Sequence, residues 1–280
     1  MPPCPSVHGS TLRVCIGAGR KRECHQEESF ESRAAHSAVN SKTDAKVEVP
    51  AASSSMAETP LRPAQAILAD YANAIGGKEA WKRLRSVHVK RALTVAGQGA
   101  TGNEEHWATA DGKNASVSTL RDVGSFRQGC DGRAAWSQDP VFGLRKLEGA
   151  EAEDARINGA WSAEPDLASL YANVKSVPPP KEAGTSTTVE CVELQKKQGK
   201  PSVLCFDAKT HLRVVQTGVQ PSPGGDIPYR LEFGDWRTVK GIKTWYLERM
   251  TAGPTTVEGR ITSLVFDEKI PASRFKMPKP

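Results

Sequence analysis

The chain has 280 residues, of which 38% are hydrophobic and only 6% aromatic, and its formal net charge is +6. This composition supports a folded core but is polar for the length, so part of the chain is expected to lie outside that core. Basic residues do not form runs interleaved with aromatic residues, which excludes a typical nucleic-acid-binding surface. A solvated surface is the favoured interpretation, with contact to an anionic membrane as the alternative.

Residues 1–60 are predicted to be a disordered or misannotated N-terminal tail, because they show neither a helical nor a strand-like apolar repeat. The one apolar run near the start, from Leu12 to Gly19, is too short for a secretory leader and contains Arg13. One hypothesis is that the start site is misassigned and the true leader is missing. No stretch reaches the roughly 18 to 20 apolar residues of a membrane-spanning helix.

Residues 63–83 are predicted to form the first helix of a domain covering residues 61–280. Their apolar positions lie on one helical face, Pro63 suits a first turn, and Gly76 with Gly77 interrupts the run. From Val87 onward, short strand patterns recur about every ten residues between turn residues, which is typical of an antiparallel sandwich or barrel. Residues 229–266 are expected to form a closing meander of three strands.

The sequence Asp131-Gly132 opens a strand that contains Trp136 and is followed by Pro140. An Asp-Gly pair supplies the positive φ angles of a two-residue hairpin turn, so residues 114–139 are predicted to form an antiparallel hairpin. Residues 147–178 lack this recurring strand pattern, since they are rich in alanine and glutamate and include Pro165 near a second helix start. Two short helices are expected there, inserted in the sheet and covering an open barrel mouth.

Cys191 and Cys205 flank a polar loop that centres near Gln198. A symmetric hairpin places the two cysteines opposite each other, within reach of a disulfide bond. A cross-strand disulfide and a pair of reduced, packed thiols both fit this placement, and a metal or catalytic role fits it less well. A disulfide would indicate an oxidising compartment.

No catalytic motif is present: the chain has no nucleophile elbow, no phosphate-binding loop and no zinc-protease motif. The run Glu104-Glu105-His106 offers an acid beside a base, but neighbouring strand residues point to opposite faces. These three residues are therefore expected to be exposed strand charges. The sequence predicts no enzyme, no cofactor and no metal site.

The Asp-Gly hairpin with its tryptophan and proline resembles the corresponding hairpin of the LolA-like periplasmic lipoprotein carriers, the lipoprotein-sorting family. Residues 205–212 are similar to that family's strand and turn of the form "fD…tg.l", and Phe275 with Pro278 is similar to its ending. The resemblance covers residues 63–278. It implies a mainly β (α+β) fold, an incomplete antiparallel β-barrel with an N-terminal helix and a helical lid insertion.

The resemblance also implies a function: non-catalytic binding of lipoprotein acyl chains or another lipid in an apolar barrel cavity, and transport through the periplasm. Membrane-bound donor and acceptor proteins would be the partners, without nucleic acid. An envelope scaffold or interaction module with a filled barrel is the alternative, and an enzyme acting on an apolar molecule is a weaker one. Alternate strand positions are the candidates for lining the cavity: Val89, Leu93, Val95, Leu120, Phe126, Val203, Leu231, Phe233, Leu247 and Ile261.

One departure from the family pattern affects the transport mechanism. The classical carrier has an arginine followed by a proline on the hairpin before the Asp-Gly strands, and this arginine holds the lid. Residues 109–113 of this chain, Thr-Ala-Asp-Gly-Lys, contain neither. A general lipid-binding role is therefore better supported than lipoprotein transfer by the archetypal mechanism.

Overall fold

The computed structural model describes residues 60–185 and 187–279. Residues 1–59, for which the tail is predicted, lie outside the described residues. The described residues begin with two helices, α1 (Ala64–Ala74) and α2 (Gly77–Lys82). They are separated at Gly76, whose φ of 111° is accessible mainly to glycine. Within the described part of the chain, no helix combines the length and apolarity needed to cross a membrane.

In the described part of the chain thirteen strands follow, in a single sheet with the order β6-β5-β4-β3-β2-β1-β13-β12-β11-β10-β9-β8-β7. Neighbouring strands pair antiparallel throughout, and β6 and β7 are the two edges of the sheet. The strands are β1 (Ser86–Val95), β2 (Thr101–Thr109), β3 (Asn114–Leu120), β4 (Gly124–Cys130), β5 (Ala135–Asp139), β6 (Gly143–Lys146), β7 (Asn173–Val177), β8 (Val189–Gln195), β9 (Ser202–Asp207), β10 (Arg213–Gln220), β11 (Ile227–Val239), β12 (Ile242–Ala252) and β13 (Thr255–Phe266).

The sheet curls around the first two helices. Val89 on β1 and Val192 on β8 belong to one buried cluster with Ile67 of α1, although five strands lie between β1 and β8 in the sheet order. We call the face that carries Val89 and Phe206 the inner face. The predicted incomplete antiparallel barrel with an N-terminal helix is confirmed, because the sheet is continuous but its two edges do not pair with each other in the described residues.

The segment between β6 and β7 is helical, with α3 (Gly149–Asn158) followed by a 3-10 segment (Trp161–Leu170) that is kinked at Asp166. We call these two elements the helical insertion. The predicted range of 147–178 extends further, but residues 173–177 form the edge strand β7. Val174 and Val177 pair there with β8, since β-branched residues fit a pleated strand.

The Asp-Gly turn joins β4 to β5 antiparallel, as predicted, but through four residues instead of two. Cys130 pairs with Ala135, and the Asp131 carboxylate accepts hydrogen bonds from the backbone N–H groups of Arg133 and Ala134 at 2.9 and 3.1 Å. This side-chain turn replaces the two-residue backbone turn. The last three strands form the predicted meander, β11-β12-β13.

The outer face of the sheet also carries buried groups. Cys191 and Cys205 are directly opposite each other on β8 and β9 and are joined by a disulfide bond. On the same outer face, but at strands β2 and β3, Phe275 from the C-terminal segment packs against Trp107 and Ala115. Its backbone carbonyl accepts a hydrogen bond from Trp136 Nε1 at 3.2 Å. The C-terminal segment therefore covers the outer face of β2 and β3.

Candidate functional site

An apolar cavity of about 20 Å³ lies on the inner face of the sheet, between the helices and strands β1, β12 and β13. Trp81 of α2 and Trp161 of the helical insertion close it from the helical side, with ring centroids 5.9 Å apart. The sheet side is lined chiefly by aliphatic and aromatic residues: Val87, Val89, Trp245, Ile261, Leu264 and Phe266. The cavity has room for about one water-sized group.

This cavity lies where two strands of the sheet separate. β13 continues along β1 as far as the pair Val87–Phe266, but in the described residues β12 pairs with β13 only from Leu247 onward. Trp245, which is buried, occupies the beginning of the opening and packs edge-on against Phe233. The separation leaves apolar side chains without a neighbouring strand, and the helical insertion covers them.

Two further cavities border the first one. One, of about 20 Å³, is lined by Arg91, Leu93, Glu104, Ser118, Glu248 and Met250, so Arg91 borders both this cavity and the apolar one. The other, of about 30 Å³, lies beneath the helical insertion and shares Trp161 with the apolar cavity. The cavities therefore follow one another along the inner face, with Arg91 bordering two of them and Trp161 bordering another two.

Glu164 ties the helical insertion to the interior. Its carboxylate accepts the hydroxyl of Tyr71 on α1 and pairs with Arg213 Nη2 on β10 at 3.0 Å, and the side chains of Glu164 and Arg213 are each only 6% exposed. Burial is the largest influence on Arg213 and opposes its charge, but the combined effect of Glu164 and the other acidic groups around it raises the pKa of the guanidinium. Burial and the charge of Glu164 raise the pKa of Tyr71 well above its usual value.

Arg213 also contacts aromatic rings. Its guanidinium lies 4.3 Å from the ring centre of Phe233 and 4.7 Å from that of Trp245, close enough for favourable cation–π interactions. Its Nε atom is buried without a hydrogen-bond partner among the described residues, and Arg213 lines the cavity beneath the insertion. Arg213 was not predicted as a site residue, because an arginine in a strand pattern indicates a solvated position unless its partner is known.

Other ion pairs hold the helical insertion to the strands around it. Asp154 pairs with Lys196, after β8, at 2.5 Å, and the side chains are 10% and 4% exposed. Arg145 on β6 pairs with Glu151 through both carboxylate oxygens at 2.6 and 2.7 Å. The contact between Lys78 and Asp166 is exposed. The insertion is thus attached at its rim by polar contacts and at its centre by Trp161 and Leu167.

Eight of the ten candidate cavity residues belong to the inner face. Val89 and Ile261 line the apolar cavity, Leu93 the cavity beside Arg91, and Phe233 the one beneath the insertion. The other inner-face candidates pack in two small clusters, one with Val257 and one with Met250: Val95, Leu120, Phe126 and Leu231. The structure therefore brings these candidates together on one surface.

Val203 and Leu247 do not face the interior, so the prediction for these two residues is corrected. Val203 packs with the Cys191–Cys205 disulfide on the outer face, whereas its neighbours Leu204 and Phe206 contact the helices. Leu247 pairs with Arg260 and faces outward, because Glu248 takes the inner position. In β9 the apolar run is unbroken, so hydrophobicity does not indicate which residues point inward, and in β12 the inward position beside Leu247 is a charged residue.

The prediction of exposed charges at residues 104–106 is correct only for Glu105. The side chains of Glu104 and His106 are buried on the inner face. Glu104 pairs with Arg91 Nη1 at 2.7 Å and accepts the hydroxyl of Ser118 at 2.9 Å. Burial, reinforced by the charge of Arg91, lowers the pKa of His106 to about 3, so the imidazole is neutral at pH 7.

The sequence matches no protein-family model, and no curated protein is significantly similar to it. Among solved structures, similarity extends to a DUF1329 family protein from Desulfovibrio piger, with 12% identity, a TM-score of 0.48 and coverage of 76% of this chain and 97% of that one. A LolA superfamily protein from Nitrosomonas europaea gives 11% identity and a TM-score of 0.49, with coverage of 77% and 98%.

A third similar structure is a candidate outer membrane lipoprotein-sorting protein domain from Vibrio parahaemolyticus, with 12% identity, a TM-score of 0.44, and coverage of 72% of this chain and 97% of that one. Lipoprotein-sorting and LolA superfamily proteins are thus among the solved structures similar to this chain, as the sequence resemblance predicts. With TM-scores below 0.5 these similarities support no conclusion about function, and the fold itself follows from the strand order described above.

Proposed function

We propose that the inner face of the sheet binds an acyl chain or another apolar ligand beneath the helical insertion and carries it through the periplasm without chemistry. The observation that carries this proposal is the apolar cavity between Trp81, Trp161 and the separated strands β12 and β13. Membrane-bound proteins would donate and accept the ligand. The disulfide between Cys191 and Cys205 supports an oxidising compartment.

Binding requires the helical insertion to move, since a cavity of about 20 Å³ has room for one water-sized group and not for a hydrocarbon chain. Much of what holds the insertion is polar, and water can replace the exposed contact between Lys78 and Asp166 at little cost. Each buried methylene contributes about 0.8 kcal/mol, so a chain of ten methylenes contributes roughly 8 kcal/mol. That gain is large enough to offset a local opening of a few kcal/mol.

The test is a titration of the full chain with a fluorescent fatty-acid probe whose emission rises in apolar surroundings. We expect saturable binding that an unlabelled long-chain fatty acid displaces. Ile261→Trp, which fills the apolar cavity, should weaken binding at least tenfold. Val203→Trp introduces the same side chain on the outer face and should leave binding unchanged. Equal binding by both variants, or no saturable binding, would contradict the proposal.

A second candidate is a scaffold or interaction module in which the barrel is filled. The small cavities favour it, because those lined by the described residues considered above measure only about 20, 20 and 30 Å³. Under this alternative the barrel interior takes up no probe, and Ile261→Trp only disturbs the packing. The same titration therefore separates the two functions.

A further inference from the structure

Polar side chains form a row across the middle of the inner face. Arg91 on β1, Glu104 on β2 and Ser118 on β3 are directly paired in register, and all three are buried. Glu248 on β12, also buried, accepts a hydrogen bond from Trp245 Nε1 at 3.2 Å. Burial of such polar groups costs free energy unless each one finds a hydrogen-bond partner.

The cavity that this row lines is small and polar at one end. It measures about 20 Å³, which is enough for one hydroxyl-sized group. Arg91 Nη1 is used by Glu104, but Arg91 Nη2 is buried without a hydrogen-bond partner in the described part of the chain, and the Arg91 side chain is only 4% exposed. A buried donor that borders a cavity of this size can be satisfied by one oxygen atom from outside the protein.

The absence of a side chain at Gly259 keeps this cavity open. Gly259 lies within β13, where glycine usually weakens a strand, and it lines the cavity. A Cβ atom at this position would lie 3.4 Å from Leu93 Cδ2 and 3.6 Å from Arg91 Cδ, which is ordinary van der Waals contact. An alanine would therefore fit the backbone and occupy part of the cavity.

The charges around the cavity disfavour an anion. The cavity is lined by one guanidinium, that of Arg91, and by two carboxylates, those of Glu104 and Glu248. His106, the next inner-face residue after Glu104, does not add a positive charge at pH 7, because its pKa is about 3. A phosphate would add negative charge beside the carboxylates in a poorly solvated place, where repulsion is strong. A hydroxyl group accepts from Arg91 Nη2 and can donate to a carboxylate.

We propose that this cavity is the subsite for the polar end of the ligand, and that it takes an electrically neutral, hydroxyl-bearing headgroup in preference to a phosphate. Arg91 borders this cavity and the apolar one, so the acyl chain of the same ligand continues toward Trp81 and Trp161. The inference rests on the proposed function and names its ligand class as an uncharged acylglycerol-like amphiphile.

The test compares two probes with the same tail, 1-oleoylglycerol and oleoyl lysophosphatidate, as competitors for the fluorescent fatty acid on the full chain. We expect the neutral probe to bind at least tenfold more tightly. Gly259→Ala should weaken binding of the neutral probe at least fivefold, so that the affinities for the two probes differ by no more than about threefold. Gly234→Ala on β11 is the matched control, since its new methyl group would contact Leu247 on the outer face, and it should change neither affinity.

The outcomes separate the two proposals. Equal affinities for the two probes, or a Gly259→Ala variant that binds as the unchanged protein does, would overturn the headgroup subsite, and the cavity would then hold a structural water only. The proposed function would still stand in that case. Failure of both probes and of the fluorescent fatty acid to bind would overturn the proposed function as well. The preference of the unmodified chain is measured without any variant, so a folding defect cannot mask the result.

Discussion

The inner face of the sheet has two regions that differ in how they are filled. Near α1, the strand residues Leu204 and Phe206 belong to an apolar cluster with helix side chains such as Ile67. The polar groups at this cluster come from the helical insertion and β10, as the Glu164–Arg213 pair. Across β1, β2 and β3, the same face carries the paired polar residues Arg91 and Glu104. The first region depends on the helices for its packing, whereas the second satisfies its polar groups mainly within the sheet.

The difference between these regions indicates where the molecule can accept a ligand. The helix-packed region gains stability by close contact, and opening it would expose large apolar surfaces. The small cavities lie along the border between the two regions, next to Trp161 and Arg91. The helical insertion covers this border. Variants that weaken the attachment of the insertion therefore test the difference between the two regions most directly.

The largest effect is expected from Glu164→Gln. This change removes the charge that compensates Arg213, and breaking a buried ion pair by altering one partner costs about 3–5 kcal/mol of unfolding free energy. Asp166→Asn, two residues away, alters the exposed pair with Lys78 and should cost less than about 1 kcal/mol. Denaturant unfolding of both variants measures the difference, and similar losses would contradict the distinction between buried and exposed attachments.

The same variant also tests the role of the insertion in binding. A weaker attachment through Glu164 should raise the rate at which the fluorescent fatty acid associates, because the open form is more populated. Stopped-flow mixing at matched folded concentrations measures this rate. If Glu164→Gln lowers stability but leaves the association rate unchanged, movement of the helical insertion does not limit ligand entry.

A somewhat smaller effect is expected from Leu204→Ala in the helix-packed region. Leu204 is 1% exposed, and truncation of a buried leucine costs about 2–5 kcal/mol. Val203→Ala, the adjacent residue on the outer face, removes a half-buried side chain and should cost about 1 kcal/mol. Thermal unfolding of the two variants checks the assignment of the faces. A larger loss for Val203→Ala would place that residue, and not Leu204, in the core.

The remaining effect concerns pH and the polar region, and it is negligible at pH 7 and grows as the pH falls. His106 has a pKa of about 3 when folded against a usual value of 6.5, so the unfolded chain binds more protons between these values. The unfolding free energy should therefore fall as pH decreases from 6.5 toward 3, by about 1 kcal/mol per pH unit from this residue. His106→Gln should remove that part of the slope. Parallel stability curves for the two proteins would show that His106 is not held neutral by burial.

The architecture could be predicted where local chemistry determines it. The Asp-Gly turn, the closing meander and the position of Cys191 opposite Cys205 depend on residues close in sequence. The polar region could not be predicted, because Glu104 meets Arg91 and Ser118 only through the register of three strands. The inward direction of Leu204 instead of Val203 was hidden for a related reason, since an unbroken apolar run contains no alternation.

The central claim, that the inner face holds an apolar ligand, is tested most directly by native mass spectrometry of the full chain purified from a bacterial host. Solvent extraction would then identify any molecule that remains bound. We expect a retained lipid or acylated species, released when the protein unfolds, with an uncharged hydroxyl-bearing headgroup. If the protein retains no lipid or acylated species and also fails to bind the fluorescent fatty acid, the proposed function is contradicted and a filled barrel is favoured.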